Sequence, residues 1–435
     1  MIARGETLEI FQKGMASASP KQLFQKNLSV INDILSINGI KYQLKDGVKL
    51  IAFGKASISM TAAFIKLVGT DKIKGGVVVT QEDLEPNFAR ETPVTVIKSS
   101  HPFVTESSEI ASRTVLNFAE QCGKDDIVFC LISGGGSALL ACPIPEISLA
   151  EKIELINKLI LKGIGEREVN VVRKALSDIK GGKLAERIYP ARIVNIVLSD
   201  ERNHQLEAIS SGPTVNGSVD VSAKDIMEAY SLTDEFSTKV KNILLTEPEN
   251  NRRQKVKPDI YSTIIGSRDS AIEGILACKE QFGLESINYI NTFFYSDVEE
   301  TCYILGRQFV DIREKSRAGK HLVVAYGEIP VKVVKNGKGG RNQHIAALMI
   351  DELRDIDDFE FAAIASDGCD FIPGYHGAVI SDLTIKKLDE LNIDYKRYIK
   401  ETNTFELHKI LNSHIKGGYT GNNVNDFFLF LFDKQ

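Results

Sequence analysis

The chain has 435 residues, of which 43% are apolar and 26% are charged, and its 53 basic and 58 acidic residues give a net charge of −5. This composition is that of a globular protein and excludes a disordered or collagen-like chain. The charge is too balanced for a dedicated nucleic-acid binder. At roughly 100–200 residues per domain, the length predicts two domains, or three.

The spacing of the cysteines and the hydropathy of the chain exclude further classes of protein. The six cysteines are scattered without a Cys-x-x-Cys pair, which argues against metal-ligand spacing and against a disulfide framework. The first residues lack the apolar core of a signal peptide, and no apolar run approaches the roughly 18 residues of a membrane span. We therefore expect a cytoplasmic enzyme or binding protein that does not associate with membranes.

The first half of the chain predicts a helix followed by alternating strands and helices. Ser19-Pro20 is a helix-start signal, and apolar residues continue at helical spacing over residues 21–37. Continuous apolar runs then alternate with helical patterns, as expected for an α/β protein with a largely parallel sheet covered on both faces. The predicted strands cover residues 48–53, 77–80, 94–97, 127–132 and 193–198.

The second half repeats this alternation after a polar region. The charged stretch at residues 247–258 predicts a surface connection, with a domain boundary near residue 250. A long helix is predicted over residues 298–318. The predicted strands of this half cover residues 260–265, 322–326, 361–365 and 427–432. The sequence thus predicts one domain over residues 1–250 and a second over residues 251–435.

Three polar clusters follow predicted strands, where ligands of parallel sheets bind. They are Gly54-Lys55, Ser133-Gly134-Gly135-Gly136-Ser137 and Ser199-Asp200. The glycine turn at residues 133–137 offers backbone N–H groups without Cβ obstruction, which suits a phosphate or another oxyanion. A tight strand-to-helix turn that needs glycine for steric reasons is the alternative interpretation.

Single charged residues near these turns carry a weaker signal. Lys55 is placed to reach a phosphate, Asp200 to act as a general base or metal ligand, and Arg341 to clamp a carboxylate or phosphate. Taken alone, each is as compatible with a solvated side chain or a turn cap. Neither GxxxxGK[ST] nor GxGxxG occurs, so neither a Walker loop nor a dinucleotide fingerprint is present.

Taken together, these segments resemble the type-2 glycerate kinase family, whose smaller C-terminal part is called the MOFRL domain. The matches run in order along nearly the whole chain, and the ordered set is more specific than any single motif. They are Phe53–Ser57, His101-Pro102, Leu131–Leu140, Asn170–Lys174, Leu176–Ala185, Leu198–Asp200, Ile209–Thr214, Gly327-Glu328, Gly339–Gln343, Ser366–Gly368 with Asp370, and Thr420-Gly421 with Asn423–Asp426.

The resemblance implies a Rossmann-like N-terminal domain, a smaller mixed α/β domain and a cleft between them. It implies ATP-dependent phosphorylation of D-glycerate at its 2-hydroxyl, giving 2-phosphoglycerate, with Mg²⁺ or another divalent cation whose ligands stay unknown. The family's cleft residues correspond to Lys55, Asp200 and Arg341. A nucleotide and a small hydroxy acid are the expected partners, and homo-oligomerisation is left open. The residues expected to bind the nucleotide are Ser133, Gly134, Gly135, Gly136, Ser137, Lys174, Gly340 and Asn342.

The chain departs from the family pattern at two places. The family continues its Ser-Asp with a hydrophobic residue and an acidic Gly-Asp-Asp run, whereas this chain has Glu201 and then Asn203-His204-Gln205. After Asp370 the family has small residues, whereas this chain has the bulky segment Phe371–His376. These changes put the identity of the hydroxy acid in doubt. They also leave open a hydroxypyruvate reductase, a label the family has sometimes carried, or a non-catalytic ligand-binding relative.

Overall fold

The computed structural model describes residues 5–83, 92–215, 217, 221–232, 236–245, 257–334 and 336–435, and its strands and helices alternate along most of them. The strands are Leu28–Ile31 (β1), Ile34–Ile37 (β2), Ile40–Gln43 (β3), Val48–Phe53 (β4), Ile73–Thr80 (β5), Thr95–Lys98 (β6), Ile127–Ile132 (β7), Arg192–Leu198 (β8), Ile260–Gly266 (β9), Ser286–Phe294 (β10), Gly319–Gly327 (β11), Phe359–Ala365 (β12), Cys369–Asp370 (β13), Ile372–Pro373 (β14), Tyr375–Ser381 (β15), His414–Lys416 (β16) and Asp426–Lys434 (β17).

Of the helices in the described residues, two precede β1, and the others lie between later strands, as in an α/β protein. They are Glu6–Ser17 (α1), Pro20–Asn27 (α2), Ser57–Val68 (α3), Glu106–Ala119 (α4), Gly136–Leu139 (α5), Leu149–Leu161 (α6), Glu166–Ala175 (α7), Lys183–Ile188 (α8), Ala223–Ala229 (α9), Thr238–Leu245 (α10), Arg268–Leu276 (α11), Val298–Lys315 (α12), Arg341–Leu353 (α13), Asp382–Glu390 (α14), Tyr395–Lys400 (α15) and Thr404–Leu411 (α16). None of the helices in the described ranges is long and apolar enough to cross a membrane.

The chain divides into two units, residues 23–266 and residues 1–22 together with 267–435. The boundary therefore lies after β9 rather than near residue 250, because β9 pairs with β8 and completes the sheet of the first unit. Most of the charged stretch predicted as the connection, namely residues 247–256, lies outside the described part of the chain.

The N-terminal helix α1 belongs to the C-terminal unit, which differs from the predicted division. The buried carboxylate of Glu360 on β12 accepts hydrogen bonds from the N–H groups of Gly5 (2.7 Å) and Thr7 (3.0 Å) and from the Thr7 hydroxyl. These donors are unpaired at a helix N-terminus, so the carboxylate satisfies them from another strand. This cap connects the first residues of the chain to the C-terminal sheet.

Among the described residues of the first unit, six parallel strands form one sheet in the order β6-β5-β4-β7-β8-β9. Numbered along the chain, this is the Rossmann order 3-2-1-4-5-6, which confirms the expected Rossmann-like sheet. The central strands β4 and β7 are buried along nearly their whole length, and they pack with α4 and α8 in one apolar core. Continuous burial explains why these strands are apolar without alternation.

The predicted helix over residues 21–37 is wrong beyond Asn27. The chain instead forms the antiparallel strands β1, β2 and β3. Asn32 and Asp33 both have positive φ, 50° and 59°, and join β1 to β2 in a tight hairpin. Such a turn favours Asn and Asp at both central positions, and this local signal prevails over the helical spacing of the apolar residues.

The second unit contains a mixed sheet, as expected. In the described residues its order is β10-β11-β17-β12-β15-β16, and the pair β10 and β11 is parallel whereas the other pairs are antiparallel. Strand β17, predicted from its apolar run, lies at the centre, and its phenylalanines are fully buried. The Phe430 ring stacks on Phe309 of α12 with centroids 5.1 Å apart.

Candidate active site

Strands β4 and β7 lie side by side at the centre of the parallel sheet, and the chain leaves them in opposite directions. From β4 it continues to β5 on one side, and from β7 to β8 on the other. Ligands of open α/β sheets bind outside the carboxyl ends of the strands at such a point. The register pairs Phe53 with Ile132, so Gly54 and Ser133 follow at the same level of the sheet.

Lys55 lies directly against the glycine turn at residues 133–137. Its N–H donates to the carbonyl oxygen of Gly134 (2.9 Å), and the N–H of Ala56 donates to Ser133 Oγ (3.0 Å). A Cβ at Gly135 would lie 2.9 Å from Lys55 Cγ and 3.3 Å from the His101 ring, and Gly135 has a φ of +84°. Glycine at position 135 therefore provides both the backbone conformation and the room for Lys55.

The turn itself presents backbone donors. The N–H groups of Gly134 and Gly135 make no hydrogen bond within the described part of the chain. Two serines of a neighbouring segment contact the turn. Ser210 Oγ donates a hydrogen bond to the carbonyl oxygen of Ser133 (2.7 Å), and Ser211 Oγ lies 2.6 Å from Ser137 Oγ. Unused N–H groups on a fixed, Cβ-free backbone suit an oxyanion.

Asp200 lies at the same edge of the sheet, two residues after the end of β8. The pairing of Ile132 with Val197 places the ends of β7 and β8 side by side. The side chain of Asp200 is half-buried. The next residue, Glu201, closes a turn, because its carboxylate accepts hydrogen bonds from the N–H groups of Asn203 (2.7 Å) and Gln205 (2.8 Å). The segment that departs from the family pattern is therefore an ordered turn beside Asp200.

Lys174, on α7, has a partner within the protein. Its Nζ donates to the carbonyl oxygen of Glu207 (2.7 Å), and burial lowers its pKa. On the same helix, Asn170 Oδ1 accepts a hydrogen bond from Ser211 Oγ (3.2 Å), the side chain that also contacts Ser137. Helix α7 is thus connected to the glycine turn through the segment around Ser211, while a direct part for Lys174 in nucleotide binding stays a prediction.

Arg341 begins helix α13 in the other unit, where it pairs with two carboxylates. Its Nε and Nη2 donate to Asp426, the latter at 3.1 Å, and its Nη1 lies 3.5 Å from Glu328. Burial lowers the pKa of Arg341, but the charges of Asp426 and Glu328 outweigh it and hold the pKa well above the ordinary value. Arg341 therefore stays charged, and 34% of its side chain is exposed.

Asp370 caps the same helix. Its fully buried carboxylate accepts hydrogen bonds from the N–H groups of Asn342 and Gln343, both at 2.9 Å. The Asn342 side chain also donates to Asp370 (3.3 Å), and a Cβ at Gly340 would overlap Asp370. Gly340 and Asn342 thus serve this cap, and their predicted part in cofactor binding stays a prediction.

The sequence did not indicate these carboxylate partners as site residues. Glu328, Asp370 and Asp426 occur in the matched motifs, but nothing in their spacing predicts that two of them face Arg341. Glu328 and Asp426 share a position at one end of two neighbouring strands. Glu328 follows β11, Asp426 begins β17, and β11 and β17 are antiparallel partners. Among the described residues, no group of three or more His, Cys, Asp or Glu side chains is placed to hold a metal ion.

Comparisons with known proteins identify the family. The family model "Domain of unknown function (DUF4147)" matches residues 6–245, and the "MOFRL family" model matches residues 321–426. The chain is 32% identical to the glycerate 2-kinase of Pyrococcus horikoshii, over 97% of this chain and 96% of that protein. It is 29% identical to the D-glycerate 2-kinase of Thermotoga maritima, over 97% of this chain and 96% of that protein.

A solved structure agrees with these sequence matches. The crystal structure of a glycerate kinase (EC 2.7.1.31) from Thermotoga maritima aligns with a TM-score of 0.77 at 28% identity, covering 98% of each chain. The sequence match extends over almost the full length of each protein, and the fold agrees over the same extent. The chain therefore belongs to the type-2 glycerate kinase family.

Proposed function

We propose that this chain is an ATP-dependent kinase that transfers a phosphoryl group to the 2-hydroxyl of D-glycerate, or of a closely related small hydroxy acid. With D-glycerate the product is 2-phosphoglycerate. Family membership and the names of the relatives support the reaction, and the geometry around Lys55 supports the chemistry. The reaction joins the 2-hydroxyl oxygen to the terminal phosphorus of ATP and releases ADP and the hydroxyl proton.

The contact between Lys55 and the glycine turn carries this proposal. Phosphoryl transfer requires positioning and neutralisation of charge on the transferred group rather than a covalent enzyme intermediate. The unused N–H groups of Gly134 and Gly135 bind phosphate oxygens, and Lys55, packed on Gly135, adds a positive charge beside them. A cation and oriented amide dipoles fixed at one point stabilise the charge that develops in transfer.

Asp200 and Arg341 complete the assignment. The Asp200 carboxylate follows the strand next to the glycine turn, where it accepts the proton of the attacking hydroxyl. Arg341 is held by Asp426 and Glu328 with about a third of its side chain exposed, so its fixed charge binds the carboxylate of the acid or a phosphate. The assignment of Asp200 rests on its position in the first unit, and that of Arg341 rests on its position in the second unit.

We propose that a divalent cation binds at this site together with the phosphates of the nucleotide. A magnesium ion in a kinase is held by one or two carboxylates together with substrate phosphates and water. Asp200 supplies a carboxylate at the edge of the sheet where the glycine turn is proposed to bind phosphate. The cation, when bound, neutralises phosphate charge.

The departures from the family pattern bear on which acid is used. Phe371 lies at the tip of the β13–β14 hairpin with a φ of +65°, and 61% of it is exposed. A bulky residue in this backbone conformation is unusual, and its neighbour Asp370 caps the helix that begins with Arg341. We therefore include hydroxy acids larger than glycerate among the substrates to be tested.

The purified full chain, with ATP and Mg²⁺, should release ADP with D-glycerate and not with L-glycerate or with glycerol, which lacks the carboxylate. A panel of larger 2-hydroxy acids shows which acids other than glycerate are phosphorylated. Oxidation of NADH or NADPH by hydroxypyruvate should be absent, and its presence would favour the reductase. Binding of ATP and acid by calorimetry without ADP release would favour a non-catalytic relative.

A further inference from the structure

Two lysines of the first unit are buried without a hydrogen-bond partner. Lys180 is 1% exposed and Lys152, on α6, is 4% exposed. Within the described residues, neither ammonium nitrogen has a hydrogen-bond acceptor. A buried charge without a partner is strongly unfavourable, so such groups are normally paired or bind a ligand.

The charges that act on these two lysines are predominantly positive. Burial lowers the pKa of Lys180 well below its ordinary value, and the positive charges of Lys152, Arg173 and Lys174 lower it further. For Lys152, burial and the nearby charges of Lys183 and Arg173 lower the pKa to about 7. No Asp or Glu is among the groups that shift either pKa, whereas the charge of Glu207 acts on the neighbouring Lys174. Lys152 and Lys180, together with Arg173, Lys174 and Lys183, are called the cluster below.

The neighbouring lysines differ from this pair, because backbone carbonyl oxygens accept their hydrogen bonds. Lys174 Nζ donates to Glu207 (2.7 Å), and Lys183 Nζ donates to Lys174 (3.0 Å) and Ser177. Their ammonium groups are therefore held in place by the fold. Lys152 and Lys180 carry the unused donors of the cluster.

The cluster adjoins the glycine turn through one loop. After Lys180, the N–H of Gly181 donates to the carbonyl oxygen of Ser211 (3.2 Å), and the N–H of Gly182 donates to Gly212 (2.8 Å). Ser211 Oγ in turn lies 2.6 Å from Ser137 Oγ, at the end of the turn. The Lys180 loop and the turn proposed to bind phosphate are therefore separated by a single backbone segment.

We propose that Lys152 and Lys180 form a phosphate-binding subsite that becomes paired when a phosphorylated ligand enters. The idea rests on the proposed kinase function for its location and on the unpaired ammonium groups for its chemistry. A phosphate group carries a charge near −2 and several acceptor oxygens, so it accepts hydrogen bonds from both lysines at once. Its source is either the nucleotide or the phosphorylated acid.

Two single variants test the subsite: Lys180→Met and Lys152→Met, which keep the length of the side chain and remove the charge. Lys158→Met is the matched control, because Lys158 lies on the same helix as Lys152 with 41% of its side chain exposed and pairs with Glu154. Calorimetry measures binding of ADP, inorganic phosphate, 2-phosphoglycerate and adenosine. Thermal unfolding without ligand measures the cost of the unpaired lysines.

In each Met variant we expect at least a tenfold loss of affinity for one or more of the phosphate ligands, with adenosine affinity unchanged. We also expect an unfolding midpoint equal to or above that of the wild type, because a buried amino group without a hydrogen-bond partner has been replaced by an apolar side chain. A loss confined to ADP assigns the subsite to the nucleotide, and a loss confined to 2-phosphoglycerate assigns it to the phosphorylated acid. Lys158→Met should match the wild type throughout.

Affinities within twofold of the wild type for all phosphate ligands would overturn the proposal, as would an equal loss for adenosine and ADP. If Lys180→Met fails to fold, two other variants test the subsite. Lys152→Met should lose phosphate affinity, and Lys180→Arg, which keeps the positive charge, should retain it. The binding readout separates this subsite from the proposed reaction. Phosphate affinity lost in a chain without glycerate turnover supports the subsite alone, whereas turnover with unchanged affinities supports the reaction alone.

Discussion

The α-carbon of Gly135 packs against the side chain of Lys55 so closely that a Cβ at position 135 would lie 2.9 Å from Lys55 Cγ. We therefore expect Gly135→Ala to displace Lys55 and to lower kcat/KM at least tenfold, because small misplacements of catalytic groups cost up to about a hundredfold. Steady-state ADP release measures the effect.

Gly163→Ala is the control for this substitution. Gly163 also has a positive φ, +74°, but a Cβ there would meet nothing within 4 Å. Both variants thus carry similar backbone strain, on the order of 1 kcal/mol, and only Gly135→Ala meets Lys55. Equal activity of the two variants would contradict the assigned contact.

Removal of the Lys55 charge should lower kcat far more than it lowers stability. We expect Lys55→Ala to lose at least about a hundredfold in kcat, the scale of one preorganised charge in a transition state. Lys41→Ala is the matched control, since Lys41 is exposed on β3 of the same unit. Near-wild-type turnover of Lys55→Ala would remove Lys55 from the mechanism.

Arg341 and Asp426 should behave as a coupled pair in chemical unfolding. Arg341→Met removes the cation beside the buried Asp426 carboxylate, and Asp426→Leu leaves Arg341 with Glu328 as its remaining carboxylate partner. Each substitution should therefore lower the free energy of unfolding by about 2–3 kcal/mol. In the double variant the loss should fall short of the sum by at least about 1 kcal/mol. Additive losses would show that the two side chains do not stabilise one another.

The stability of the second unit should fall in acid because of buried histidines. Burial lowers the pKa of His344, on α13, from 6.5 to about 4, and its Nδ1 has no hydrogen-bond partner among the described residues. Between pH 6.5 and 4 the unfolded chain binds this proton and the folded chain does not, so the free energy of unfolding decreases as the pH falls.

At pH 5 this histidine alone should account for about 2 kcal/mol of lost stability relative to pH 7.5. His344→Gln should lose correspondingly less between these pH values, as measured by urea unfolding at each pH. The same slope in the variant and the wild type would mean that His344 titrates normally in the folded protein.

The central sheet could be predicted from the sequence because burial on both faces leaves a strong local signal. Strand β7 has the predicted bounds, 127–132, and β4 has the predicted bounds, 48–53. Both strands end in glycine turns that interrupt the apolar run. By contrast, the hairpin at Asn32-Asp33 depends on two residues of positive φ, a short signal that the apolar spacing around it obscured.

Contacts between distant residues could not be predicted in this way. Thr7 and Glu360 are 353 positions apart, so nothing local assigns α1 to the C-terminal unit. Arg341 and Asp426 are 85 positions apart, and their pairing depends on how β17 enters the sheet. Lys55, Asp200 and the glycine turn could be predicted to share an edge because each follows a recognisable parallel strand.

The position of the transferred phosphoryl group tests the account most directly. Phosphorus-31 NMR follows the reaction of the full chain with D-glycerate, ATP and Mg²⁺. With the wild type and with Lys41→Ala, the spectra should show ADP and a single phosphomonoester, 2-phosphoglycerate. With Lys55→Ala, these products should form at a far lower rate. Phosphorylation at the 3-hydroxyl, or ATP left unchanged with D-glycerate and every related hydroxy acid, would contradict it.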